Sequence, residues 1–200
     1  MPAYLKSNGL QNPENPQDGP FQYGHNHTGH AFAWLVDHPE VFQAFHNYVY
    51  TLRKHRPSWT DMYPVQRRLV EGRKEGDASA LVDIGGGTGQ LLQEFRRDFP
   101  QYSGKLILQE LPEVIAAAQD LGVGEDQQID LQVHDFFKPQ PVRGARAYFM
   151  RSVLHDWADE QCRTILGHLK DAMEPGYSRI LINDCVRRRC TPSLFPSSLA

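Results

Sequence analysis

Leu81-Val82-Asp83-Ile84-Gly85-Gly86-Gly87-Thr88-Gly89 carries the densest chemical signal in the sequence: an apolar run, an acid, then four glycines leading into a helical pattern. Glycine is needed where the backbone takes positive φ or lies against a ligand with no Cβ in the way. A strand-to-helix turn also aims free helix N–H groups at that ligand. Spacing separates the Gly-rich loops that could serve. A phosphate-cradling loop would end in Gly-Lys-Ser/Thr, whereas Gly89 precedes Gln90 and Leu91. A dinucleotide fingerprint matches Gly85 and Gly87 but would put its third glycine at Gln90, which weakens a nicotinamide reading and leaves it open. Asp83 would repel a pyrophosphate and suits a cationic ligand. S-adenosyl-L-methionine has an ammonium, a sulfonium and a ribose and no phosphate, so it is the cofactor that Asp83, Gly85, Gly86 and Gly87 favour. An ordinary tight turn is the plain alternative, and four clustered glycines argue against it.

The ends of later apolar runs carry further candidates. Residues 106–110 end in Glu110, near the spacing at which an acid accepts ribose hydroxyls in nucleotide-binding βαβ units; the plain alternative is an acid beside a helix N-terminus begun by Pro112. Residues 129–133 lead into His134-Asp135-Phe136-Phe137, where Asp135 could accept from an adenine amino group while Phe136 packs on the ring. Residues 145–150 lead into Arg151-Ser152-Val153-Leu154-His155-Asp156-Trp157. Alone, His155 also reads as a solvated or capping residue, and Asp156 as the cap of the helix that follows.

These ends need a scaffold, and the hydrophobic pattern supplies one. Leu91, Leu92, Phe95 and Phe99 recur at helical spacing until Pro100, and Ile165, Leu166, Leu169 and Met173 give residues 159–173 an apolar face. Short apolar runs at 81–84, 106–110, 129–133, 145–150 and 178–182 suit buried parallel strands. The alternation predicts an α/β fold with a doubly wound, mostly parallel, Rossmann-like sheet, in which ligands lie beyond the carboxyl ends of the strands where their order reverses.

Taken in order, Asp83-x-Gly-Gly-Gly-x-Gly, Leu111-Pro112, His134-Asp135-Phe136-Phe137 and Arg151 to Trp157 resemble the plant caffeate and fungal type of S-adenosylmethionine-dependent O-methyltransferase. Gly19-Pro20-Phe21-Gln22, Phe32-Ala33-Trp34-Leu35 and residues 59–64 resemble the stretch joining the N-terminal helices of fungal members to the catalytic core. The resemblance covers residues 1–186. It implies that His155 is the catalytic base, that Asp184 is the acid orienting it, that Arg151 lies near the adenine, and that no metal is required. Most members carry Glu where this chain has Asp184, a shorter arm that would weaken the contact, and fungal members usually show Asp in place of Glu110. The chemistry fits a histidine. A phenol has a pKa of ~10 and an imidazole one of ~6.5, so a neutral ring can take the hydroxyl proton as the oxygen attacks a sulfonium methyl.

The resemblance also implies truncation at both ends. The expected organisation is an N-terminal helical and linker segment, 1–72, with helices at 30–36 and 40–53 left from a dimerisation region. An incomplete cofactor-binding core, 73–186, and an irregular tail, 187–200, would follow. Without the closing strands the edge at Ile180-Leu181-Ile182 would be exposed; Arg187 to Arg189 could blunt it. His25, His27 and His30 tempt a zinc reading, but structural zinc sites usually close with four ligands, often cysteines, and none is near.

Composition sets outer limits. A formal charge of −3 and a pI near 6.3 give no electrostatic reason to expect nucleic acid. No apolar run is long enough to span a bilayer, and the polar, Pro/Asn-rich start does not read as a signal peptide, so a cytoplasmic protein is expected. Cys162, Cys185 and Cys190 fit reduced thiols rather than a disulfide framework. The first twenty residues, 71–77, 122–128 and the tail read as flexible. The sequence therefore predicts methyl transfer from S-adenosyl-L-methionine to a hydroxyl of a small aromatic compound, in secondary metabolism. A homodimer or association with a full-length relative is the expected partnership. The alternatives are a non-catalytic remnant that keeps a binding or regulatory role and, behind it, a nicotinamide-dependent oxidoreductase.

Overall fold

Five apolar runs pair into one sheet: β1 (Leu81–Ile84), β2 (Leu106–Glu110), β3 (Ile129–Val133), β4 (Ala147–Arg151) and β5 (Arg179–Asn183). They lie in the order β3-β2-β1-β4-β5, every neighbouring pair parallel. The computed structural model describes residues 2–11, 13, 15, 17–54, 56–76, 80–124 and 128–185; the tail from residue 186, including Arg187 to Arg189 and Cys190, lies outside the described residues. β4 starts two residues later than the sequence predicts, because the Ala145 carbonyl is taken by the Ser178 hydroxyl at 2.6 Å. Arg151 thereby becomes the last residue of the strand, paired with Asn183.

The alternation of side chains along each strand builds two apolar layers. Leu81, Leu106, Leu108, Ile129, Ala147 and Phe149 face α6 (Gln90–Asp98) and α7 (Pro112–Asp120), whose Leu91, Leu92, Phe95, Ile115 and Ala118 complete one core. Val82, Ile84, Ile107, Tyr148 and Met150 face α8 (Asp159–Ala172) through Ile165, Leu169 and Ala172. The chain winds from β1 outward to β3, then crosses to β4 on the other side of β1. The carboxyl ends of β1 and β4 therefore flank the point where strand order reverses.

The N-terminal part is more structured than predicted. Besides α3 (Ala31–Val36) and α4 (Pro39–Lys54) it contains α1 (Pro2–Ser7), α2 (Pro20–His25), α5 (Trp59–Met62) and a π-helical turn, Gln66–Val70. The opening residues expected to be flexible are tied down in part: Tyr4 is buried and its hydroxyl donates to the Asp18 carbonyl at 3.0 Å. Short helices escape a periodicity search because a single turn shows no repeat. Trp59, only 2% exposed, stacks near Phe95 and Phe149 and donates from Nε1 to the Leu91 carbonyl at 3.3 Å, so α5 packs into the same core as α6. At the edge of the sheet, β5 leaves Ile182 half exposed. Among the described residues no helix is long and apolar enough to cross a membrane.

Arg146 locks the segment before β1 to the sheet. Its buried guanidinium donates to the carbonyls of Leu69 (3.2 Å), Arg68 (2.8 Å), Glu71 (3.2 Å) and Tyr177 (3.0 Å), and lies 4.8 Å from the Tyr177 ring centroid. Three of these acceptors lie in or just after the π-helical turn, whose end leaves carbonyls without helical partners; the Arg68 carbonyl also accepts from Arg179 Nε at 3.2 Å. Hydrogen bonds to a charged group contribute ~1.5–3 kcal/mol each when lost alone, and buried acceptors left unpaired add to the loss. Arg146→Ala should lower the unfolding free energy by about 3 kcal/mol or more, and Arg146→Lys should restore only part of it, since an ammonium cannot span four carbonyls; urea unfolding midpoints check both.

Candidate active site

The glycine turn after β1 is built around Asp83. Its carboxylate is completely buried on the α6 side of the sheet, and a Cβ on Gly86 would stand 2.4 Å from Asp83 Oδ2 and 2.6 Å from Leu108 Cδ1. No side chain fits there, which is why position 86 is glycine. With no exposed surface, Asp83 shapes the turn from beneath and places a buried carboxylate under it. Gly87 is the opposite case. Its φ is +64°, a left-handed conformation that L side chains rarely adopt, and a Cβ there would meet only Gln90 Oε1, at 3.8 Å. The turn therefore has one face sealed against the core and one open.

The ends of the other strands converge on this turn. A Cβ on Gly85 would lie 3.0 Å from Val153 Cγ2 and 3.7 Å from Phe136 Cε1, so the loops after β3 and β4 both reach it. Glu110, ending β2, accepts from Gly87 N at 3.0 Å through Oε1 and from Leu111 N at 2.9 Å through Oε2. Burial pushes its carboxyl above the ordinary glutamate value, with the two backbone donors pulling it partly back. Asp135 is exposed and accepts from Phe137 N at 2.9 Å, and Phe136 packs edge-on to Phe137 and Trp157.

Arg151, which the resemblance sets near the adenine, is the last residue of β4. It is buried, its charge depressed first by desolvation, and the charges acting on it are Glu94, Arg56 and Asp83. Strand alternation puts it on the α6 side with Asp83, whereas Phe136 packs with the core on the α8 side. The sequence position at a strand end did not carry this, because facing is set by register and the strand ends one residue later than predicted.

His155 sits in a short turn, Leu154–Asp156, that follows β4. Its Nδ1 is 2.5 Å from Asp184 Oδ1. The other oxygen, Oδ2, accepts from the backbone of Val153 (3.2 Å), Leu154 (2.9 Å) and His155 (3.4 Å). One carboxylate therefore both caps the turn and holds the ring. The shorter arm that was expected to weaken this contact does not, because Asp184 follows β5 directly and β5 pairs with β4 in register, Asn183 opposite Arg151. Ser152, with φ +56°, turns the chain sharply at the strand end, and its N–H donates to the Asn183 carbonyl at 3.0 Å. Nε2 of His155 lies 3.4 Å from Asp156 Oδ1. Asp156 does not cap α8: the N-cap is Ala158, whose N–H donates to Gln161 Oε1 at 3.1 Å. Burial raises the Asp156 carboxyl, while His155 and His30 pull it down.

His30 is a residue the sequence weighed only as a metal ligand. It stacks on Trp157 with ring centroids 4.2 Å apart, on the same turn as His155. The available signal was its position just before the apolar run Phe32-Ala33-Trp34-Leu35, the place of a helix N-cap.

Residues 65–194 match the model of the O-methyltransferase domain family. The chain belongs to that family. Among relatives of this O-methyltransferase-family chain, the methyltransferase cfoC of Aspergillus candidus is 40% identical over 187 residues, covering 92% of this chain and 45% of that protein. The O-methyltransferase mpaG of Penicillium roqueforti is 38% identical over 206 residues, covering all of this chain and 50% of that one. The chain thus spans about half the length of these curated relatives. The solved structure of LepI in complex with SAM superposes with a TM-score of 0.79 at 33% identity, over 94% of this chain and 47% of that one.

The hydrogen bonds to Asp184 carry a pH signature. Burial alone would raise this carboxyl, but the His155 ring and the Cys185 and His155 N–H groups outweigh it and hold it below the ordinary aspartate value. A carboxyl depressed in the folded state adds stability above its unfolded-state pKa and loses it as pH falls through the lower folded value. Asp184→Asn should therefore reduce stability at neutral pH and flatten the acid limb of a stability profile run from about pH 6 down to about pH 2, with urea unfolding as the measurement.

Proposed function

We propose that this chain holds S-adenosylmethionine and the catalytic base of an O-methyltransferase, and transfers a methyl group to a hydroxyl of a small aromatic acceptor in secondary metabolism. The observation that carries the reading is the His155–Asp184 contact at 2.5 Å, placed across the strand-order reversal from an open glycine turn. The site fits the cofactor: the free face of Gly87 leaves room that a Cβ would fill, and Glu110, which already accepts from Gly87 N, retains lone pairs for ribose hydroxyls. Asp135 and Phe136 supply an acceptor and an apolar ring for the adenine. Asp83 places a buried carboxylate beneath the glycine turn, a charge that suits a sulfonium. The cofactor, when bound, supplies the electrophilic methyl group.

The chain's own residues do the rest. Asp184 accepts from Nδ1, which fixes the His155 tautomer with its lone pair on Nε2 and stabilises the imidazolium formed when that nitrogen takes a hydroxyl proton. The capped turn holds the ring rigidly, and holding oxygen and methyl group in line supplies much of the rate. Trp157, edge-on to Phe136, offers apolar surface suited to a flat aromatic acceptor. A non-catalytic role that keeps only cofactor binding is the second reading.

Calorimetric titration should give binding heat with S-adenosylhomocysteine and none with NAD; heat with NAD alone would overturn the cofactor assignment. Gly87→Val should weaken S-adenosylhomocysteine binding at least tenfold by filling the open face of the turn. In a labelled-methyl assay against a panel of phenols, His155→Ala should abolish turnover while leaving cofactor affinity within twofold. Cofactor binding without any methyl transfer by the unaltered chain would favour the second reading.

A further inference from the structure

His30 is the N-cap of α3, yet both of its ring nitrogens are engaged and its ring stacks on two others. Nδ1 accepts from Phe32 N at 3.3 Å. In the neutral ring this leaves the proton on Nε2, which then donates to the Asp156 carbonyl at 3.4 Å, 126 residues away in sequence. The ring stacks on Trp157 at 4.2 Å and 15° and on Phe32 at 5.3 Å and 19°. Trp157 in turn meets the edges of Phe136 (5.7 Å) and Phe137 (4.7 Å), the loop after β3. Asp156 lies between two histidines, its carboxylate 3.4 Å from His155 Nε2 and its carbonyl on His30.

Asp184 holds only one side of this turn. Its oxygens reach the amides of residues 153–155 and the Nδ1 of His155. The following amides, Asp156 and Trp157, make long bonds of 3.2 Å to the carbonyls of Val153 and Leu154. The far side is where Nε2 must meet a hydroxyl, and where the Asp156 carboxylate must keep its distance from that nitrogen. A misplacement of ~1 Å at such a point can cost about a hundredfold in rate.

We propose that His30 is a positioning residue for the base: by stacking on Trp157 and donating to the Asp156 carbonyl, it fixes the far side of the His155 turn. The N-terminal helical segment is then part of the catalytic apparatus. The inference rests on the proposed role of His155.

Two variants separate the contributions. His30→Phe keeps an aromatic ring on Trp157 and loses both nitrogens; His30→Asn keeps a good N-cap and loses the stack. They share only the lost contact with the Asp156 carbonyl. In both, hydrogen exchange at the Asp156 and Trp157 amides should rise about tenfold while β1 and α6 exchange as before, S-adenosylhomocysteine affinity should stay within twofold, and kcat should fall ten- to a hundredfold with little change in the cofactor KM. Ring nitrogen NMR of the unaltered chain should show His30 protonated on Nε2 and bare on Nδ1. Exchange unchanged at residues 156 and 157, exchange raised equally throughout the core, or the opposite His30 tautomer each overturns the proposal. If the unaltered chain fails to bind S-adenosylhomocysteine, the proposed function falls, while the exchange and nitrogen readouts still decide whether His30 fixes the turn.

Discussion

Parallel pairing puts every strand's carboxyl end on one edge of the sheet, and the candidate site depends on that constraint. Parallel strands need crossovers, and the crossovers here run outward from β1 on one side and then jump to β4 on the other. The jump opens a crevice that no helix spans, and into it fall the glycine turn, Glu110, the Asp135–Phe136 loop and the His155 turn. Their separation in sequence, from residue 83 to residue 184, is irrelevant once the sheet is formed. Register then does the fine work: because Asn183 lies opposite Arg151, the residue after each strand arrives at the same height, and an aspartate reaches a histidine that a slip of one residue would carry away.

The polar groups at this edge follow one pattern, in which a carboxylate satisfies the backbone of a turn and holds something else at the same time. Asp184 caps three amides and the His155 ring. Glu110 bonds Gly87 and Leu111 with separate oxygens. Such double use suits a site that must be both rigid and polar, since each turn's free N–H groups gain a charged acceptor and the side chain that serves them cannot wander. Asp83 goes further, shaping the glycine turn from beneath with no exposed surface. Arg146 plays the same part for carbonyls at the opposite edge of the sheet, tying the segment before β1 to the strands.

Much of this was legible in the residues. The bounds of β1, β2 and β3 followed from short apolar runs, and the acid or aromatic at each strand end marked where chemistry would sit. What failed to show falls into a few physical kinds. α1, α2 and α5 are one or two turns long and carry no periodicity to detect. Arg151 reads as a strand-end residue, but that it is buried on the α6 side with Asp83 depends on the face it takes, which a strand end does not reveal. Asp184 looked too short for its task because arm length was judged without the strand that brings its backbone close. Asp156 looked like a helix cap, but the helix starts later and finds its cap in Gln161.

The order of elements, the glycine turn, and the identity of every residue at the strand ends were fixed by the amino-acid sequence alone, because hydrophobic period and backbone permissiveness are local properties. Which face each residue takes, that Asp83 is fully buried beneath the glycine turn, that Asp184 holds His155, and that His30 stacks on Trp157 from far along the chain were decided only in the folded chain. Those are relations between segments, set by strand register and close packing, and no local pattern encodes them.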